Sequence, residues 1–180
     1  MRLLGCTPSA ALRRRRGTYR DARTVGGGTL FRSRQSQTFT AAAILQPVEQ
    51  GRLSLDDPVR AHLPQSTVAD PDVSAAVTIR DCLTHSCGWV GDFSEDPGWD
   101  DDAPAAMVGR MVKLVQVTPL GRMWSYNNAT YYVLRRLPEV LHRRGFENVL
   151  DETLLRPLGM DGSCFFDLRP LSEEIANTLL

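Results

Sequence analysis

In this 180-residue chain, bond-making chemistry could come from a serine pair, from a tyrosine beside asparagines, or from a cysteine near a histidine. Ser33 and Ser36 lie in FRSRQSQTFTAA, residues 31–42, where a Phe and a run of small polar residues pass into an Ala-rich stretch. A strand end passing into a buried helix suits a nucleophile, because helix-start N–H groups favour developing negative charge. The polar residues at this junction, Ser33, Arg34, Gln35, Ser36 and Gln37, form no evident active pair. Tyr126-Asn127-Asn128 stands in WSYNNATYY. Taken alone, it reads as a packed tyrosine followed by an asparagine, Asn128, that caps the next helix. Cys87 lies two residues from His85, a poor geometry for a thiol–imidazole dyad.

Metal chemistry finds no support in the spacing. The four cysteines, at 6, 82, 87 and 164, form no CxxC or Cys/His pattern. Cys82, inside TIRDCLTH, reads as a substitute for a core aliphatic. Asp100, Asp101 and Asp102 lack the alternating ligands of a calcium loop and read as part of a solvated acidic loop over 91–104. No cofactor is expected.

These residues have to be positioned by short helical pieces. Residues 36–50 carry a helical pattern (Phe39, Ala42, Ala43, Leu45, Val48), with Pro47 predicting a kink or an early end and Gly51 a C-terminal cap. Asp57 before Pro58 predicts an N-cap with proline at the first helical position. Residues 65–77 read as loop, and Thr78 as the cap of a helix in IRDCLTH that ends near Gly88. Residues 104–117 read as helix with Met107, Met111, Leu114 and Val115 on one face. Another helix starts near Asn127 or Asn128 and is interrupted at Pro138. A last one spans 146–155, followed by a turn at PLGM. Gly26-Gly27-Gly28 marks a loop or hairpin end, and Leu30 and Phe31 could end a strand.

Composition frames this as one ordinary globular domain: 42% apolar, 23% charged, net charge zero. A zero balance offers no field for nucleic acid or an anionic membrane. Lys113 is the only lysine among 21 basic residues. The first 28 residues show little periodicity and form a poorly defined segment, with the domain expected over 29–180. The run Arg13–Arg16 reads as a solvated tail. Neither a signal-peptide core nor an apolar stretch of about 18 residues is legible. The default expectation is therefore a cytoplasmic protein without a membrane span.

Four stretches, in order, carry a resemblance: TFTAAAILQPVEQGRLSLDDPV (38–59), VTIRDCLTHSCGWVGD (77–92), TPLGRMWSYNNATYYVL (118–134) and FENVLDETLLRPLGM (146–160). The chain resembles the serine β-lactamase and penicillin-binding-protein superfamily, in its class C and esterase-like branch, over about residues 29–166. The resemblance implies an α+β fold of the β-lactamase/transpeptidase type, here its helix-rich portion without most of the C-terminal sheet strands. It implies acyl transfer on an amide or ester, and a small-molecule or peptide-like substrate.

That chemistry uses Ser-x-x-Lys at the start of a buried helix, Tyr-x-Asn on a loop, and Lys-Thr-Gly or His-x-Gly on a sheet strand. By resemblance Tyr126 would share proton transfer with the lysine, and Asn128 would bind the lysine and the substrate amide. The first motif is degenerate. Phe31-Arg32 and Thr38-Phe39-Thr40 are kept, but the space between them is one residue too short. Counting back from Thr38 puts Gln37 at the lysine position and Arg34 at the serine position. Counting forward from Phe31 puts Gln35 at the serine position. Ser33 and Ser36 have no lysine three residues on, and a glutamine amide is no base at neutral pH. The third motif is absent from the 180 residues, and His85 in LTHSCG reads as a packing and capping residue.

The sequence therefore predicts a degenerate or truncated relative, weakly active or inactive. Competing expectations are a non-catalytic binding or assembly protein reusing the helical region, and the product of a damaged reading frame. Incompletely covered apolar faces predict self-association.

Overall fold

In the computed structural model, residues 24–25, 28–30, 33–91, 93, 103–160 and 163–164 are described. Three short strands make one sheet: β1 (Thr24–Val25), β2 (Gly28–Leu30) and β3 (Ser163–Cys164), in the order β1-β2-β3. β1 and β2 are antiparallel, Val25 opposite Gly28, and β2 and β3 are parallel, Leu30 opposite Cys164. Next in the chain after β2 comes α1 (Ser33–Glu49), while Gly26 and Gly27 of the glycine run lie outside the described residues.

The remaining helices are α2 (Val59–His62), α3 (Pro71–Ala76), α4 (Ile79–Leu83), α5 (Ala103–Arg110), α6 (Ala129–His142) and α7 (Phe146–Leu150). A 3-10 turn at Met111–Lys113 extends α5, and a π turn at Asp151–Leu155 extends α7. α6 is the central element, packed against α1, α2, α4, α5 and α7. Six of its seven buried residues fall in pairs four apart, Ala129 and Thr130, Val133 and Leu134, Leu137 and Pro138, with Glu139 the seventh, so one stripe faces the core. The main cluster joins Ile44, Ile79, Cys82, Trp89, Met107 and Leu134. Ala43, Phe146 and Leu150 form a smaller one.

Several local expectations are corrected. Pro47 does not end α1, which continues to Glu49 before Gly51 turns at a φ of 68°. Pro138 does not interrupt α6, which runs on to His142. A proline costs about 3 kcal/mol in a regular helix. Both rings are buried, and packing of the surrounding helices carries the helix through. α2 starts one residue later than expected, with Pro58 at its N-cap. Asp57 instead accepts from Ser54 N at 2.9 Å and contacts His62 Nε2 at 2.9 Å. Residues 65–77 contain α3, capped by Asp70, whose carboxylate accepts from Asp72 N and Val73 N. α4 ends at Leu83, short of Gly88; its start is as expected, with Thr78 and Asp81 forming a reciprocal capping box. Helix does not reach residue 117. Leu114–Val117 is extended, with Gln116 bridged to Trp89, and Val115 is 57% exposed, so it leaves the face shared by buried Met107, Met111 and Leu114.

Candidate active site

The tyrosine motif is assembled by two segments running against each other. Residues 85–91 leave α4, and residues 115–127 return toward α6. Their backbones join through Val90 N to Val115 O at 2.9 Å, Val117 N to Gly88 O at 2.8 Å, and Ser125 N to His85 O at 2.8 Å. Gly88 is required at the crossing: its φ is 74°, and a Cβ there would lie 2.2 Å from Thr118 O.

Within the motif Tyr126 is exposed, at 43%, and Asn128 is half-buried. Asn127 is buried; its amide nitrogen donates to Val90 O and to Gly91 O, the latter at 2.7 Å. Its amide oxygen accepts from Ala129 N at 2.8 Å. Asn128 occupies the N-cap position of α6 without a side-chain cap bond. The sequence-based assignment of the cap to Asn128 is therefore corrected to Asn127. Asn128 instead receives Phe93 N at 2.8 Å and donates to Phe93 O at 2.9 Å, as a neighbouring strand would. Thr130, fully buried, donates to Asn127 O at 2.8 Å. Both neighbours of Tyr126 are held by backbone, and the phenol ring projects from a fixed loop.

One other predicted site residue reaches that ring. Gln37 Nε2 donates to the Tyr126 phenol oxygen at 3.0 Å, across 89 residues of sequence. Ser33, Arg34 and Ser36 lie in the first turn of α1, and their side chains are outside the described residues. A glutamine amide can donate to the phenol, but it cannot take a proton from a serine or offer a positive charge to an anion.

Sequence reasoning missed the part played by His85. It holds a φ of 55°, and its ring lies 4.9 Å from Tyr126, 5.3 Å from Tyr131 and 6.3 Å from Trp124, centroid to centroid. Burial holds its pKa below the ordinary 6.5, partly offset by hydrogen bonding with the Asn127 backbone. Contacts spanning some 40 residues have no local sequence signal. Cys87, the weighed partner of His85, points elsewhere. Its buried thiol lies 3.8 Å from Cys82 Sγ, and that hydrogen bond together with burial pushes it far above the ordinary thiol range. It is no nucleophile in this state. Asp100, Asp101 and Asp102 lie outside the described residues. Among the described residues no group of three or more His, Cys, Asp or Glu could hold a metal ion, and no helix is long and apolar enough to cross a membrane.

Tyr126 thus stands on a clamped loop and is bonded to a residue near the start of α1. The family model described as Beta-lactamase matches residues 15–178. The chain belongs to the beta-lactamase family. Penicillin-binding protein 4 of Amycolatopsis lactamdurans is 36% identical over 128 residues, covering 71% of this chain and 34% of that protein. Among solved structures, a penicillin-binding protein from Bacillus halodurans matches with a TM-score of 0.58 at 27% identity, over 72% of this chain and 41% of that one. A D-stereospecific amidohydrolase from a Streptomyces species matches at 0.57 and 26%, over 69% and 40%. The first curated relatives place this chain on a quarter to a third of their own length. The helix-rich part described here thus has the β-lactamase/transpeptidase-like fold.

Proposed function

We propose that this chain is a serine-hydrolase-type member of the beta-lactamase family whose nucleophile site is degenerate, so that acyl transfer on amides or esters is weak or absent. The observation that carries the reading is the Gln37–Tyr126 hydrogen bond. It supports the count made back from Thr38, in which Gln37 replaces the family lysine. Three residues earlier, on the same helical face, Arg34 then replaces the serine. Tyr126 keeps the phenol of the second motif, and the Asn128 amide is committed to the Phe93 backbone. Without a serine and a lysine at these positions there is no activated nucleophile to acylate.

The test is repair. Arg34→Ser combined with Gln37→Lys should give slow, stoichiometric acylation by a penicillin at position 34, seen by intact-protein mass and peptide mapping. Neither single variant should react. Loss of one oxyanion donor alone costs about 10²–10³ in rate, so multiple turnover is not expected. An adduct on wild-type Ser33 or Ser36, or hydrolysis of a chromogenic cephalosporin that disappears in Tyr126→Phe, would overturn the reading.

A binding role without turnover is favoured by one further observation. Met123 and Trp124, 58% and 69% exposed, lie on the same loop as Tyr126. Such a loop suits capture of a peptide-like ligand or of a second copy of the chain. In the same experiment this role gives a reversible change in Trp124 emission with no mass adduct.

A further inference from the structure

We propose that His85 is the positioning residue of the tyrosine loop, holding it through its neutral imidazole and releasing it when the ring is protonated. The geometry is a single acceptor facing a single backbone donor. Asn127 N–H points at His85 Nδ1 at 3.3 Å. That bond needs a ring whose proton sits on Nε2, because only the bare nitrogen accepts. One residue before Tyr126, Ser125 N donates to His85 O at 2.8 Å. His85 therefore grips the backbone on both sides of Tyr126, and its ring supports the phenol ring at 4.9 Å.

Protonation reverses the sign of one of these contacts. With hydrogen on Nδ1, two N–H donors face each other across 3.3 Å. Another acceptor within reach is Thr130 Oγ1, 3.5 Å from Nδ1, whose own proton goes to Asn127 O at 2.8 Å. Turning toward Thr130 satisfies the imidazolium and leaves Asn127 N–H without its partner. The titratable groups facing the ring are the Tyr126 phenol from the loop and the Tyr131 phenol from α6. Burial raises the pKa of Tyr131 above the ordinary 10, so it stays neutral in acid, and among the described residues no charged side chain acts on the imidazolium. Position 85 tolerates few residues, because its φ of 55° lies in the left-handed region. Asparagine suits that region and offers a side-chain oxygen where Nδ1 stands.

This assignment rests on the proposed reading only for the meaning of Tyr126 as the site phenol. The experiment follows the backbone itself. In amide NMR spectra of the full chain, the Asn127 signal should titrate between pH 7.5 and 5 with the same midpoint as the His85 ring protons. At pH 7, Asn127 amide exchange should be about tenfold faster in His85→Ala and return to within about twofold in His85→Asn. In His85→Asn the pH titration of Asn127 should vanish. An Asn127 signal that stays flat while His85 titrates would overturn the proposal, as would His85→Ala exchange equal to wild type. If His85→Ala does not fold, the wild-type titration and His85→Asn decide alone, and an unprotected Asn127 in His85→Asn counts against it. Acylation of a wild-type serine would sink the degenerate-site reading and leave these amide results unchanged.

Discussion

Asn127 shows how a polar side chain becomes more structural than catalytic when its hydrogen bonds close on backbone. Its amide serves two carbonyls, of Val90 and Gly91, and one helix-start N–H, of Ala129. Truncating it leaves buried groups unpaired and removes a cap. Asn127→Ala should therefore cost about 3 kcal/mol. Tyr126→Phe removes one hydrogen bond at a ring 43% exposed and should cost about 0.5 kcal/mol or less. Urea unfolding of both variants checks the contrast; equal losses would show that the loop is not anchored through Asn127.

At the scale of elements, the junction of α6 and α7 depends on one buried carboxylate. Glu139 Oε2 accepts from Arg136 Nη1 at 2.8 Å, and Oε1 accepts from Phe146 N at 3.3 Å, the first residue of α7. A negative charge there also suits the start of a helix. Removing it takes the carboxylate away from the partly buried Arg136 guanidinium and from the start of α7, so Glu139→Ala should cost about 3 kcal/mol. Glu139→Gln, which keeps the bond to Phe146, should cost less, and chemical unfolding of the two variants reads the difference. No local pattern announces this contact. The same limit explains what was and was not legible. Thr78 with Asp81 three residues on, and Gly51 after an apolar run, were readable because caps are local. The pairing of 85–91 with 115–127, and of Gln37 with Tyr126, joins residues far apart in sequence. Pro47 and Pro138 misled because local propensity was outweighed by burial against helices that no window contains. Of the candidate site, Tyr126 was named from the third of four ordered stretches and position 37 from the count back from Thr38, whereas His85 looked like a capping residue.

Across the whole molecule, the described helices bury their apolar stripes and partly cover two histidines, which sets how the fold answers to acid. Burial lowers the pKa of His85 and of His142 below the ordinary 6.5; at His142 the nearby Arg52 acts in the same direction. The folded chain thus prefers both rings neutral. Above pH 6.5 folded and unfolded states are neutral alike, and the stability that goes with the depressed values is fully present. As pH falls through 6.5 toward the folded values, the unfolded chain takes up protons first, and stability drops by at most about 1.4 kcal/mol per pH unit for each proton. Asp57 does not offset this. Its carboxyl is held below 3.8 by the Ser54 N–H and then by His62, so its contribution persists until more acidic conditions. Acid loss should therefore come in two separate ranges, histidines near pH 6.5 and just below, carboxylates below about 4. Thermal unfolding at pH 7.5, 6.5 and 5.5 should show a falling midpoint. The slope should shrink in His85→Asn and again when His142→Gln is added. A midpoint that is flat across this range in wild type, or a slope unchanged in the double variant, would mean that neither ring is held neutral by the fold.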